Sequence, residues 1–151
     1  MDGVPVEASG ERARGMFEAG WCCAESVLVA MAEAQGIKSD VIPRIATGFC
    51  AGMARTTNLC GAVSGAIMGI SLATGRNSHE QSVEPAYALV RRLLDEFGRK
   101  YGSTNCGELL RCDLGTEAGQ AYFKANKLRD RCAGYVDEAT RIALGLVGRA
   151  G

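Results

Sequence analysis

The chain has 151 residues, 47% of them hydrophobic, with 17 basic and 17 acidic side chains that cancel to a formal net charge of zero. That length suffices for one domain to bury roughly two thirds of its unfolded surface without disulfides. The cancelled charge gives neither the footprint of a nucleic-acid binder nor attraction to an anionic membrane, so no nucleic acid is expected as a partner.

The amino terminus, "MDGVPVEASGERARG", has an early acid, no basic n-region and no apolar h-region. It does not resemble a secretory signal, and a cytoplasmic protein is expected. Residues 1–8 are expected to be a mobile start. Helical periodicity dominates from there on, and no alternating apolar run suggests a strand. The predicted class is an all-α, single-domain helical bundle of about six to seven helices over residues 1–151.

The first helix is predicted over Ser9 to Ala19, ending at Gly20, and the second over Cys22 to Gln35, stopped by Gly36, with Cys23, Val27, Ala30 and Ala34 inward. A short helix starts at Asp40 with Pro43 in its first turn, and "TGFCAGMARTTN" follows as a loop. A glycine-rich helix occupies Leu59 to Ala73. The surrounding uncharged stretch, Thr56 to Gly75, carries the G-x-x-x-G spacing of membrane helices at Gly61, Gly65 and Gly69. Its threonines, serines and asparagine make it too polar for a good span, so no membrane insertion is expected.

Ser82 begins the next helix, with Pro85 in its first turn and Val83, Tyr87, Val90, Leu94 and Phe97 on one stripe. Cys106 to Arg111 reads as a short helix, with Asn105 and Glu108 spaced as a capping box. Thr116 to Ala125 reads as a linking segment. The last helix, Lys127 to Val147, carries Leu128, Cys132, Tyr135, Ala139, Ile142 and Leu146 on one stripe.

Seven cysteines is an odd number for a reducing compartment, and no C-x-x-C or C-x-x-C-H occurs. This argues against a full set of structural disulfides, a thioredoxin-type pair and covalent c-type haem, and leaves metal binding or redox chemistry. Cys23, Cys60 and Cys106 each fall in the first turn of a predicted helix. There the unpaired N–H groups and the positive dipole end favour thiolate, the form that attacks disulfides and binds metals. Gly61, Gly65 and Gly69 leave a groove that a second helix or a bulky cluster can enter. If the three helix starts converge on the last helix, Cys132 completes a four-thiol site suited to an iron–sulfur cluster or tetrahedral zinc.

Cys22, Cys50 and Cys112 are weaker candidates, and loop residue Cys50 is the first of them as a resolving thiol. Glu25 and Glu108 read as helix-dipole partners, His79 as a surface residue, and Trp21 and Tyr135 as packing aromatics. No Ser/His/Asp triad, P-loop or dinucleotide fingerprint is present.

In chain order, "WCCAESVLVAM", "TTNLCGAVSGAIMGISLATGR", "YGSTNCGELL" and "RDRCAGYVDEA" resemble the C-GCAxxG-C-C family of redox-active proteins. Carried over position by position, the resemblance selects Cys23; Cys60 with Gly61, Ala62 and Gly65; Cys106; and Cys132. It implies a small helical cytoplasmic protein of prokaryotic type with a cysteine-based redox role, and related domains are associated with iron–sulfur binding.

The expected function is therefore redox or electron transfer at one four-cysteine site. In a thiol version Cys60 attacks and Cys23 or Cys106 resolves; in a cluster version all four are ligands. A non-catalytic zinc or soft-metal module is the alternative. A redox partner protein is implied, and the apolar stripes leave room for a homodimer.

Overall fold

The computed structural model describes residues 5–150. Residues 1–4 of the expected mobile start lie outside that range, and the first helix already begins at Val6, three residues ahead of the predicted Ser9. The chain is all-α. Its helices are α1 (Val6–Glu18), α2 (Cys23–Ala34), α3 (Cys50–Arg55), α4 (Gly61–Thr74), α5 (Glu84–Tyr101), α6 (Cys106–Leu110), α7 (Glu117–Ala125) and α8 (Leu128–Ala150), with a 3-10 helix over Arg44–Phe49. Among the described residues the only β-pairing is an isolated antiparallel bridge between Leu59 and Asn105.

Two of these eight helices account for the excess over six to seven. The linking segment at Thr116 is helical because the Thr116 hydroxyl accepts the Gly119 N–H and caps α7. The expected loop after Gly48 contains α3, whose interior is wound left-handed. The short helix expected from Asp40 starts later, at Arg44, and is of the 3-10 kind.

Helix α8 is the spine. Helices α1, α2, α4, α5 and α7 all pack against it, and α2 packs in addition against α1 and α4. Val27, Met31, Val63, Ile70, Leu93, Phe97, Val136 and Ala139 fill the space between them. Arg14 of α1 reaches Asp137 of α8 at 3.2 Å, and Phe97, Tyr101 and Tyr135 stack edge to face where α5 meets α8.

The inner face of α5 is rotated from the predicted stripe. Leu89, Leu93 and Phe97 are buried, whereas Tyr87 is 53% exposed. The neighbouring pairs Leu89–Val90 and Leu93–Leu94 let the helix turn by one residue while still burying leucine, and the rest of the bundle decides which row goes in.

Candidate four-thiol site

Four elements bring cysteines to one cavity. Cys23 is the first residue of α2, Cys60 immediately precedes α4, Cys106 opens α6, and Cys132 lies in the second turn of α8. All four line a cavity of about 880 Å³, and Cys22 lines it as well. Cys60 and Cys106 are buried; Cys23 and Cys132 are half-buried.

The bridge between Leu59 and Asn105 sets the first pair. Cys60 N–H donates to Thr104 O and Cys106 N–H donates to Asn58 O, both at 2.8 Å, so the starts of α4 and α6 lie side by side. Asn105 reinforces this with both ends of its amide: Oδ1 accepts the Glu108 N–H at 3.0 Å and caps α6, while Nδ2 donates to Thr57 O at 2.6 Å. The capping role assigned to Asn105 is thus met, although its own N–H goes to Ser103 Oγ rather than to Glu108.

Helix α3 closes the other side. Ala51, Gly52, Met53 and Ala54 all have left-handed φ and ψ, and Arg55 continues at φ 65°. This path delivers the Ala51 N–H to Cys23 Sγ at 3.5 Å. It also seats Gly52 against Cys106, where a Cβ would come within 2.6 Å of the cysteine Cβ. A Cβ at Gly61 would overlap Cys23 Sγ, so glycine at the start of α4 is what admits that thiol. Gly61 lines the cavity; Gly65 lies one turn on, against the backbone of α2, and Gly69 against Met31. The groove of the glycine-rich helix is filled by α2.

Burial governs the titration of these thiols. Cys60 is pushed up to about 12, mainly by desolvation and next by the neighbouring Cys23, with the N–H groups of Val63 and Ala62 pulling the other way. Cys106 is pushed up to about 11 by desolvation, with Cys23 and Cys112 adding to it. Desolvation also raises Cys132, and Cys60, Cys23 and Cys106 raise it further against the pull of Arg129. Cys23 is raised by desolvation and lowered in part by the Ala51 N–H. At Cys23 and Cys60 backbone N–H groups act on the sulfur in the direction expected of a helix start, but loss of water outweighs them; at Cys106 no such N–H offsets burial. At neutral pH the free side chains are thiols, and a cation in the cavity would be needed to hold them as thiolates.

The donor set is soft, and four thiols suit a thiophilic metal group. Its spacing is wide. Among the described residues no three of these four sulfurs lie within 4.8 Å of one another, whereas one tetrahedral zinc with bonds of 2.3 Å needs sulfurs about 3.8 Å apart. That spacing does not suit a single tetrahedral ion held by three or four of these sulfurs.

The remaining thiols behave differently. Cys22 and Cys50 form a disulfide with a Cα–Cα distance of 6.0 Å, joining the N-cap of α2 to the end of the 3-10 helix. Cys50, the loop thiol marked as a candidate resolving partner, is therefore paired with Cys22. Glu25 caps α2, its carboxylate accepting the Cys22 N–H at 3.0 Å and the Thr47 hydroxyl at 2.7 Å. Its oxygen and the sulfurs of Cys22 and Cys50 lie within 4.8 Å of one another. This cluster was missed from sequence, although the three-residue spacing of Cys22 and Glu25 is that of a capping box. Cys112 is half-buried and directly follows Arg111, the C-cap of α6. His79 is exposed, as expected. Tyr135 is buried, but Trp21 is 47% exposed and lines the cavity, so it is not the packing aromatic expected.

Among the described residues no helix is long and apolar enough to cross a membrane. The family model described as "Putative redox-active protein (C_GCAxxG_C_C)" matches residues 21–146. A curated protein of Archaeoglobus fulgidus, described as "Uncharacterized protein", is 34% identical over 96 residues, which is 58% of this chain and 64% of that relative. The chain thus spans less than two thirds of that relative's length. No solved structure matches.

Proposed function

Because the chain belongs to the C_GCAxxG_C_C family of redox-active proteins, we propose that Cys23, Cys60, Cys106 and Cys132 together hold an iron–sulfur cluster and that the protein is an electron-transfer protein of the cytoplasm. The observation that carries this reading is that four thiols from four separate elements line one cavity. Such a cluster would supply one-electron chemistry at a potential set by its surroundings.

The chain's own contribution is to position and tune. The bridge at Leu59 and Asn105 holds Cys60 and Cys106 in register. The N–H groups of Ala51, Ala62 and Val63 face the sulfurs of Cys23 and Cys60, which stabilises negative charge there and raises a reduction potential. Desolvation at Cys60 and Cys132 acts in the opposite sense, because it disfavours the more negative, reduced state and so lowers the potential. A thiol–disulfide role for Cys60 with Cys23 or Cys106 is less well supported: with its thiol near 12, the thiolate fraction at pH 7 is on the order of 10⁻⁵.

Anaerobic purification tests the reading. Iron and acid-labile sulfide in equal, stoichiometric amounts, with a visible absorption band that Cys60→Ser weakens or shifts, are the expected result. Stoichiometric zinc, or metal-free protein with all five free thiols still titratable after reconstitution with iron and sulfide, would overturn it.

A further inference from the structure

We propose that Cys22 and Cys50 form a second redox centre, separate from the four-thiol site, which exchanges its disulfide with a substrate dithiol: Cys22 is the sulfur that meets the substrate and Cys50 the sulfur that resolves. Three features carry this.

The two sulfurs differ in access. Cys22 is half-buried and lines the cavity, whereas Cys50 is buried behind it. An incoming thiolate therefore reaches Cys22, and Cys50 is the leaving group. Access and the stability of the leaving thiolate decide which sulfur of a disulfide is attacked.

A carboxylate is held beside the bond. Glu25 is fixed by the Cys22 N–H and the Thr47 hydroxyl, with an oxygen inside 4.8 Å of both sulfurs. Besides capping α2, a carboxylate at that distance can take the proton of a thiol that attacks the bond. The capping-box arrangement also fixes Cys22 at the N-cap of the 12-residue α2, which holds its side of the bond in place.

The surroundings suit a macromolecular dithiol. The residue before each bonded cysteine is an exposed aromatic, Trp21 at 47% and Phe49 at 38%. Two accessible rings beside a half-buried sulfur offer an apolar landing site.

The chemistry balances as follows. One substrate thiol gives its proton to Glu25, and its thiolate attacks Cys22 Sγ; the Cys22–Cys50 bond breaks, and Cys50 leaves as a thiolate that takes the proton from Glu25. The second substrate thiolate then attacks the substrate sulfur of the mixed disulfide and releases Cys22 as a thiolate, which takes the second proton. The substrate becomes a disulfide, and Cys22 and Cys50 become thiols. The reverse sequence reduces a substrate disulfide.

Dithiothreitol serves as the probe on the folded, full-length protein. The expected result is oxidation of one equivalent per chain at millimolar probe. A reversible change in the emission of Trp21, the chain's single tryptophan, should accompany it, and alkylation mapping with fragment-ion sequencing should find Cys22 and Cys50 newly labelled. With 5,5′-dithiobis(2-nitrobenzoate), Cys50→Ser should then retain one 5-thio-2-nitrobenzoate as a mixed disulfide at Cys22 and release the other, and Cys22→Ser should retain at least tenfold less at Cys50, both keeping the far-ultraviolet circular dichroism of the parent. A bond that opens only in denaturant would make it a structural clasp and overturn the proposal, as would trapping at Cys50 in preference to Cys22. The visible band of the four-thiol site should be unchanged in Cys50→Ser, so failure of one centre is read separately from failure of the other.

Discussion

Gly65→Ala probes the contact on which the site's alignment depends. A Cβ at Gly65 would lie 2.7 Å from Ala24 O, 3.1 Å from Ala24 Cα and 3.0 Å from Val27 Cβ. The first two atoms are backbone of α2 and cannot rotate aside, so α4 and α2 must separate by several tenths of an ångström. Overpacking of this kind costs about 1–3 kcal/mol, while alanine in a helix interior recovers up to about 1 kcal/mol over glycine. The net expectation is a loss of about 1–2 kcal/mol, or roughly 1 M in the urea midpoint at a typical slope for a small protein. Because Ala24 follows Cys23, the same displacement shifts Cys23 relative to Cys60, and bound iron should fall with stability. Gly15→Ala is the matched control: it is helical and exposed, with nothing within 4 Å of its Cβ, and should gain about 0.5–1 kcal/mol. A Gly65→Ala midpoint at or above that of the parent would refute the close helix crossing.

Burial of the thiols predicts a pH dependence for the reduced, metal-free protein. Cys60 titrates near 9.0 when unfolded and near 12 when folded, so the folded state holds its proton longer. The stabilisation is complete below about pH 9 and is lost as pH rises toward 12, by up to about 4 kcal/mol for this group. Urea midpoints for the parent and Cys60→Ala should therefore converge above pH 9, and a pH-independent difference would contradict the assignment. Ala54→Gly should raise stability by about 0.5–1 kcal/mol in thermal melts, the reverse of the usual effect of glycine, because Ala54 holds φ 58°. A fall in Tm would count against the left-handed path. Asn105→Ala removes both the α6 cap and the bond to Thr57 O; a loss of about 1–2 kcal/mol in chemical denaturation is expected, and a change under a few tenths would show that the bridge holds without it.

The helices were legible wherever a periodic apolar face and a stop signal coincided. Gly20 and Gly36 end α1 and α2 with positive φ, and Gly102 closes α5 in the left-handed region. The rotation of α5 was not legible, because two adjacent rows of leucine and valine compete and only the partner surfaces choose. The placement of Cys23, Cys60 and Cys106 at helix starts followed from Asn58, Asn105 and the glycines. That these starts share one cavity did not, since it depends on backbone bonds between Cys60 and Thr104 and between Cys106 and Asn58, which no side-chain pattern encodes. Nor did the sequence reveal which effect wins at the sulfurs. Dipole and desolvation act oppositely, and the balance turns on how completely α4, α6 and α8 exclude water.

The left-handed turn of α3 bears on why the sulfurs lie where they do. Ala51, Met53, Ala54 and Arg55 all hold a conformation that costs a side-chain-bearing residue about 1–2 kcal/mol each, a sum comparable with the whole stability of a typical domain. Such a segment persists only where its surroundings over-determine it. Here the Thr56 hydroxyl donates to Gly52 O and Met53 O, the Asn58 N–H donates to Gly52 O, and the Cys22–Cys50 bond fixes the segment's first residue to α2. What the strained path accomplishes is local to the sulfurs: it turns the Ala51 N–H toward Cys23 and brings a glycine onto Cys106. A right-handed turn from Cys50 would direct these amides elsewhere. The disulfide and the four-thiol site are thus joined through five residues of strained backbone.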